Sequence, residues 1–482
     1  MKTAVIGFPR IGALRELKFS SEKYFRNEIT EEELLETGRT LRKTHWKIQK
    51  EAGIDYISCN DFSYYDGILD AAVMCGIIPK RYQELNLSEL DTYFAMARGY
   101  QGEAGDVKAL AMKKWFNTNY HYIVPEVEDD TVISFSGKKL LSEFEEAKEL
   151  GILVKPVVPG AYTLLKLCRY TGTKTAEDFV DDVILAYKEL LKLCDKNEVS
   201  WIQFDEPSLV FDMTEQDLAL FRKIYFEILP SAQSCQVLVQ TYFGDVRDVY
   251  QDLIQLPFAG VGLDFVEGKQ TKKLIEQYGF PKDKILFAGL VNGKNIWKNH
   301  YKETLQALQE LKEKGIHTVL STSCSLLHVP YTIEQEKELS DEYKKHFAFA
   351  KEKLSELRDL KALAEDENFL SSILLKANES LFLAGRDCVK EEVKNRLKQV
   401  KDEDYVRTPA RKERQKRQKE VLGLPIFPTT TIGSFPQTKD VKANRSAYRR
   451  GEKTKEEYVA FNREKISECI RWQEEIGCTC PW

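Results

Sequence analysis

The sequence predicts an α/β protein: a (β/α)8 barrel over residues 1–345, a helical linker over 346–425, and the incomplete start of a second, duplicated barrel over 426–482. Three observations carry that expectation. Eight short apolar or β-branched runs alternate with longer helical patterns up to about residue 345, the mark of βαβ units and a parallel sheet. Between 345 and 425 the strand signal vanishes. Near residue 430 the chain then repeats the pattern with which it opens.

The eight runs are "TAVIGF", "IDYISCN", "ILVKPVVP", "WIQFDEP", "CQVLVQTYF", "GVGLDFV", "KILFAGL" and "HTVLSTSCS". An excursion of about ninety residues separates the second from the third, much longer than a usual βα connection. Its stretch "AMKKWFNTNYHYIVPEV" is aromatic enough to predict a packed insertion. Polar residues gather at the C-terminal ends of the runs: Asn60 and Asp61, Asp205 and Glu206, Gln240 to Tyr242, Asp264, Asn292, and Ser323 with Cys324. In a (β/α)8 barrel that rim carries the chemistry, although a polar residue at a strand end is as often only solvated. Past residue 345, "YKKHFAFAKEKLSELRDLKALAEDENFLSSILLKANESL" reads as helices. "RTPARKERQKRQKEVLGLPIFP" reads as a basic helix and an extended, proline-punctuated connector; few aromatics interleave, which argues against a nucleic-acid-binding arm.

The echo is specific. "TTTIGSFPQTKDVK" repeats "KTAVIGFPRIGALRELK": Ile6 and Gly7 match Ile432 and Gly433, and Phe8-Pro9 match Phe435-Pro436 after the inserted Ser434. Downstream, "TEEELLETGRTLRKTHWKIQKEAG" lies over "TKEEYVAFNREKISECIRWQEEIG" without a gap. Thr30 with Glu33, and Thr454 with Glu457, read as capping boxes, and Gly53 and Gly477 as left-handed helix stops. Loop, cap, helix and stop in one order point to duplication. The first copy runs on into a strand, whereas the second has only "CTCPW" after its helix, so it reads as cut off where its next strand would begin.

Composition bounds the rest. With 43% hydrophobic and 11% aromatic residues the chain can bury a large core. A net charge of −5 argues against a general nucleic-acid or membrane-surface binder. No apolar run approaches the roughly 18 residues of a membrane span, and "AVIGF" is stopped by Pro9 and Arg10, so a cytoplasmic protein is expected, with no membrane and no nucleic acid as partners and a monomeric state. Ten cysteines without paired spacing fit reduced, buried thiols better than a disulfide framework.

Seven motifs in order, "IGFPRIG", "KKWFNTNYHY", "WIQFDEPSLV", "TYFGDV", "GLVNGKNIW", "STSCSLLHVP" and "PTTTIGSFPQT", resemble the cobalamin-independent methionine synthases, across nearly the whole chain. The resemblance implies two (β/α)8 barrels made by duplication. It also implies transfer of a methyl group from 5-methyltetrahydropteroyltriglutamate to homocysteine, giving methionine. A thiol of pKa about 8.5 is mostly protonated at neutral pH and must become a thiolate to attack, and the family uses zinc for that step.

For binding, the resemblance assigns Arg15, Glu16, Leu17, Lys18 and Lys114 to the folate polyglutamate tail, and Ile432, Gly433 and Ser434 to homocysteine or methionine. Spacing alone says less: Arg15 and Lys18, three apart, would share a helix face and with Arg10 make a basic cluster, but exposed cations are usually just solvated. The zinc ligands implied by the family fall late in the second barrel, so no metal ligand and no catalytic residue is assigned within this chain. Cys324 with His328, and Cys478 with Cys480, are too few for a closed or catalytic zinc site. The expectation is therefore a synthase-family chain inactive alone, the alternative being a non-catalytic polyglutamate-binding fragment or the partner of a separate chain. A glycosidase reading of Asp205 and Glu206 ranks last, because adjacent strand residues point to opposite faces.

Overall fold

In the computed structural model, which describes residues 1–383 and 390–480, each of the eight apolar runs contains a strand. They are Lys2–Ala4 (β1), Ile57–Cys59 (β2), Val154–Pro159 (β3), Trp201–Asp205 (β4), Gln236–Gln240 (β5), Gly260–Asp264 (β6), Ile285–Val291 (β7) and Thr318–Thr322 (β8). Every pairing is parallel, and the spatial order is β1-β8-β7-β6-β5-β4-β3-β2, so strands adjacent in sequence are adjacent in space. The ring closes where the Ala4–Tyr56 bridge joins β1 to the start of β2, with Tyr56 N–H donating to the Thr3 carbonyl at 3.0 Å. This is the (β/α)8 barrel that the alternation of runs predicts.

Two layers of side chains inside the ring decide where a ligand could enter. At the N-terminal end Ala4, Tyr56, Trp201, Leu238, Phe287 and Val319 form a separate apolar cluster. Its three aromatic rings meet edge to face with centroids 5.2–5.6 Å apart, filling that end of the barrel. One pleat higher, the inward residues become polar. Lys155 and Gln203 bond to each other, and Gly262 leaves the room that Gln240 takes: a Cβ there would stand 2.1 Å from Gln240 Oε1. A closed apolar floor beneath a polar interior leaves the C-terminal mouth as the open end.

The excursion between β2 and β3 is packed, as its aromatic content predicts. Helices Gly67–Met74 and Glu89–Arg98 and the hairpin Met112–Lys114/His121–Ile123 share a small core of Leu34, Leu69, Tyr82, Phe94, Met96 and Ile123. The helix after β8, Ala350–Glu365, buries Leu354, Leu357 and Leu360 in the main barrel core. It is the barrel's eighth outer helix, although it falls within the stretch that the loss of strand signal marks as linker. The chain accordingly divides into compact units of residues 1–385 and 386–482.

In the second unit the echo is structural. Thr30 N–H donates to Glu33 Oε2 (2.7 Å) and Glu33 N–H to Thr30 Oγ1 (3.2 Å); Thr454 and Glu457 repeat both bonds at 2.8 and 3.2 Å. Gly53 and Gly477 stop the two helices at φ of +77° and +82°. In the first unit Asp55 and Tyr56 N–H donate to Thr3 O at 3.2 and 3.0 Å, and in the second Thr479 and Cys480 N–H donate to Thr429 O at 3.1 and 3.0 Å. Thr3 and Thr429 hydroxyls likewise reach Gly53 O and Gly477 O. The matching bridges are Ala4–Tyr56 and Thr430–Cys480. Among the described residues no helix is long and apolar enough to cross a membrane.

Candidate functional site

The residues matched to the polyglutamate site sit on one turn and one hairpin. Gly12 takes a left-handed backbone at φ +82°, and Arg15 caps the following helix, Glu16–Tyr24, also left-handed at φ +64°. The helix thus begins one residue after Arg15, so Arg15 and Lys18 lie on a cap and a first turn and not on one continuous helix face. Glu16 closes the turn by accepting from Leu14 N–H at 3.0 Å. Leu17 is fully buried against Leu41 and Phe62 and pins the turn to the barrel's outer layer. Replacing such a leucine by alanine costs about 2–5 kcal/mol. Arg15 and Lys18 are left exposed; Lys18 has a long 3.8 Å pair with Glu22, and Arg15 has no ion pair among the described residues. Lys114, opposite His121 in the hairpin, is exposed and likewise has no ion pair among the described residues. Of these five, then, two residues build the turn and three offer charge.

Ile432, Gly433 and Ser434 form an exposed loop of the second unit, and a Cβ on Gly433 would meet nothing within 4 Å. Their counterpart is packed: a Cβ on Gly7 would come within 2.7 Å of Ser325 Oγ and 3.4 Å of Asp61 Oδ2.

The basic cluster expected around Arg10 separates. Arg10 turns away from the exposed turn into a cavity of about 570 Å³ at the barrel mouth, where its guanidinium donates to Ser63 O (2.8 Å) and Tyr120 Oη (3.3 Å). The strand-end residues divide between the cavity and their own loops. Asn60, Asp61, Asp205 and Tyr242 line this cavity. Asp61 Oδ2 accepts from Phe8 N–H (2.7 Å) and Ser58 Oγ (2.8 Å), lacing the end of β1 to β2. Asp205 accepts from Gln203 Nε2 (2.6 Å) and Tyr242 Oη (3.1 Å). Burial pushes the Asp205 carboxyl up and the Lys155 ammonium down, and the attraction between the two opposes both shifts and favours their charged forms. Glu206 faces the other way, accepting from Tyr162 N–H, Thr163 N–H and Tyr225 Oη. The two carboxyls therefore do not converge on one ligand. Asp264 ties its own loop to the one after β5, receiving N–H bonds from Val266 and Glu267 and from Phe243.

Cys324 is buried, with its thiol pushed up by desolvation, and behaves as a small core residue. His328 lines the cavity edge-on to Tyr120 and Phe243, and burial holds it near pKa 4, hence neutral. Among the described residues no three of His, Cys, Asp and Glu stand close enough together to hold a metal ion, so the residues present do not fit a zinc centre. The nine described cysteines are all free thiols.

Strand-end reasoning finds neither the interior Lys155 nor the contact of Arg10 with Tyr120. The lysine inside the apolar run "ILVKPVVP" is the sequence signal that a polar barrel interior leaves. Arg10 and Tyr120 come from segments more than a hundred residues apart, and nothing local announces their meeting.

Fold and geometry together define a (β/α)8 protein whose opening strand–helix–strand lock recurs near residue 430. The sequence profile described as "Cobalamin-independent synthase, N-terminal domain" matches residues 2–315, and the profile of that synthase's "Catalytic domain" matches residues 427–479. The chain belongs to the cobalamin-independent synthase family. It is 52% identical over 477 residues to a 5-methyltetrahydropteroyltriglutamate–homocysteine methyltransferase of Campylobacter jejuni subsp. doylei, and 53% identical over 479 residues to that of Streptococcus suis. Each alignment covers 99% of this chain and 63% of the relative, so the chain spans less than two thirds of the length of these curated relatives. A solved structure of a putative vitamin-B12-independent methionine synthase from Listeria monocytogenes shares the fold, with a TM-score of 0.51 at 17% identity, covering 76% of this chain and 98% of that one.

Proposed function

We propose that this chain binds the polyglutamate tail of a methylated folate for methyl transfer to homocysteine, and that residues 426–482 are the beginning of a second barrel to which the transfer chemistry belongs. The observation that carries the reading is the turn at residues 12–18. Glu16 and Leu17 fix its shape, while Arg15, and Lys114 on the hairpin, are exposed cations with no ion pair among the described residues, and exposed Lys18 has only the long 3.8 Å pair with Glu22. Fixed cations suit a flexible string of carboxylates, since each contact is charge-assisted and the turn is already ordered. Ile432, Gly433 and Ser434 are assigned to homocysteine by the same reading. Zinc, when bound in such a synthase, supplies thiolate formation; the described residues hold no ligand set for it, so this reading assigns them to binding and leaves thiol activation elsewhere.

Calorimetry with the triglutamate and monoglutamate folates tests this. The triglutamate form is expected to bind more tightly, and Arg15→Ala with Lys18→Ala to erase the difference and most of the salt dependence. Equal affinity of the unmutated chain for the two folates would refute the assignment.

A further inference from the structure

The mouth cavity is not explained by the tail-binding turn: Arg15, Lys18 and Lys114 do not line it. Its floor is sealed by the aromatic layer of Tyr56, Trp201 and Phe287, and its volume of about 570 Å³ is that of a small-molecule site. Two features define what it would accept. Carboxylates outnumber cations on its wall, and Asp61 and Asp205, at the ends of β2 and β4, keep part of their surface accessible. That excess favours a ligand with a positive group. Four of the cations on that wall, Arg39, Arg42, Lys138 and Lys139, are already ion-paired with carboxylates, whereas the fifth, Arg10, bonds to a backbone carbonyl and a phenol and has no carboxylate at ion-pair distance among the described residues. A guanidinium carries five N–H donors, so this one retains a donor edge able to take a carboxylate bidentately. Trp115, Tyr120 and Tyr242 give the cavity aromatic walls that keep water from competing.

We propose that the mouth of the first barrel is a binding site for a small zwitterion of the α-amino-acid class, held with its carboxylate on Arg10 and its ammonium toward Asp61 and Asp205. A simple anion would leave the excess carboxylates facing it, and a simple cation would leave Arg10 unpaired. Only a molecule carrying both charges satisfies both walls.

Calorimetry of the full chain with L-serine and L-norleucine, against acetate and ethylammonium, tests the proposal. At least one zwitterion is expected to bind with one-to-one saturation, about tenfold or more tighter than either single-charge probe. Arg10→Leu and Asp205→Asn should each weaken that binding by about tenfold or more, and Arg10→Lys by less than Arg10→Leu. Lys18→Ala and Ser434→Ala should leave it unchanged, which separates this site from the tail and homocysteine assignments. The proposal is overturned if neither zwitterion binds, if acetate binds as tightly, if Ser434→Ala abolishes the signal, or if a folded Arg10→Leu chain keeps full affinity. Far-ultraviolet circular dichroism establishes folding, and if Arg10→Leu fails that check the folded Asp205→Asn chain decides by the same criterion.

Discussion

At position 206 the barrel buries a carboxyl completely and bonds it from three sides, by two backbone N–H groups and the Tyr225 hydroxyl. Burial outweighs those bonds and raises its pKa from 4.5 to about 7. The native state thus keeps a proton that an unfolded glutamate releases near its ordinary value. Between those two pKa values the folded chain binds more protons than the unfolded one, so this group's contribution falls as pH rises, by about 1.4 kcal/mol per pH unit. Glu206→Gln should make stability against urea less steeply dependent on pH between 5 and 7, whatever it does to absolute stability; an unchanged slope would mean that Glu206 is ionised in the folded protein. At this scale the sequence is only half legible. Asp205 and Glu206 announce themselves at a strand end, and alternation separates them. That Arg10 serves the cavity and not the exposed turn is set by Ser63 and Tyr120, which sequence distance hides.

Elements were more legible than residues, for a physical reason. Strands buried on both faces must be nearly continuous apolar runs, and all eight stand out from their helical surroundings. Sequence alone does not place the helix Ala350–Glu365 on the barrel, because its amphipathic pattern says that one face is buried but not against what. The opposite case is Arg411–Leu422, whose side chains are almost all exposed and which buries none of them. A helix without a packed face opens readily. Limited proteolysis is expected to cut first within residues 407–419 and to leave a resistant fragment containing residues 1–383. The helix Lys455–Glu475, with Ile466 and Trp472 more than half exposed, should be degraded after that first cut. Protection of residues 407–475 equal to that of the barrel would contradict this order.

For the whole molecule, the described residues combine a complete barrel, a mouth cavity and exposed cations, with no grouping that fits a metal. The purified 482-residue chain is therefore expected to retain no stoichiometric zinc after dialysis against chelator and to form no methionine from homocysteine and methylated triglutamate folate. One zinc per chain together with turnover would show that residues separated here come together in solution, with Cys324 and His328 the first to mutate.

The seam of the ring has a consequence in time. β1 pairs in register with β8, Thr3 beside Leu320, whereas every other ladder joins strands that are neighbours in sequence. At about 5–20 residues per second, a ribosome delivers that partner on the order of half a minute after β1 itself is made. Through that interval Ala4, Val5 and Ile6, all buried in the finished barrel, are apolar and lack their final neighbour. The first strand synthesised is thus among the last to be locked, and the cell must keep it from pairing elsewhere until β8 emerges.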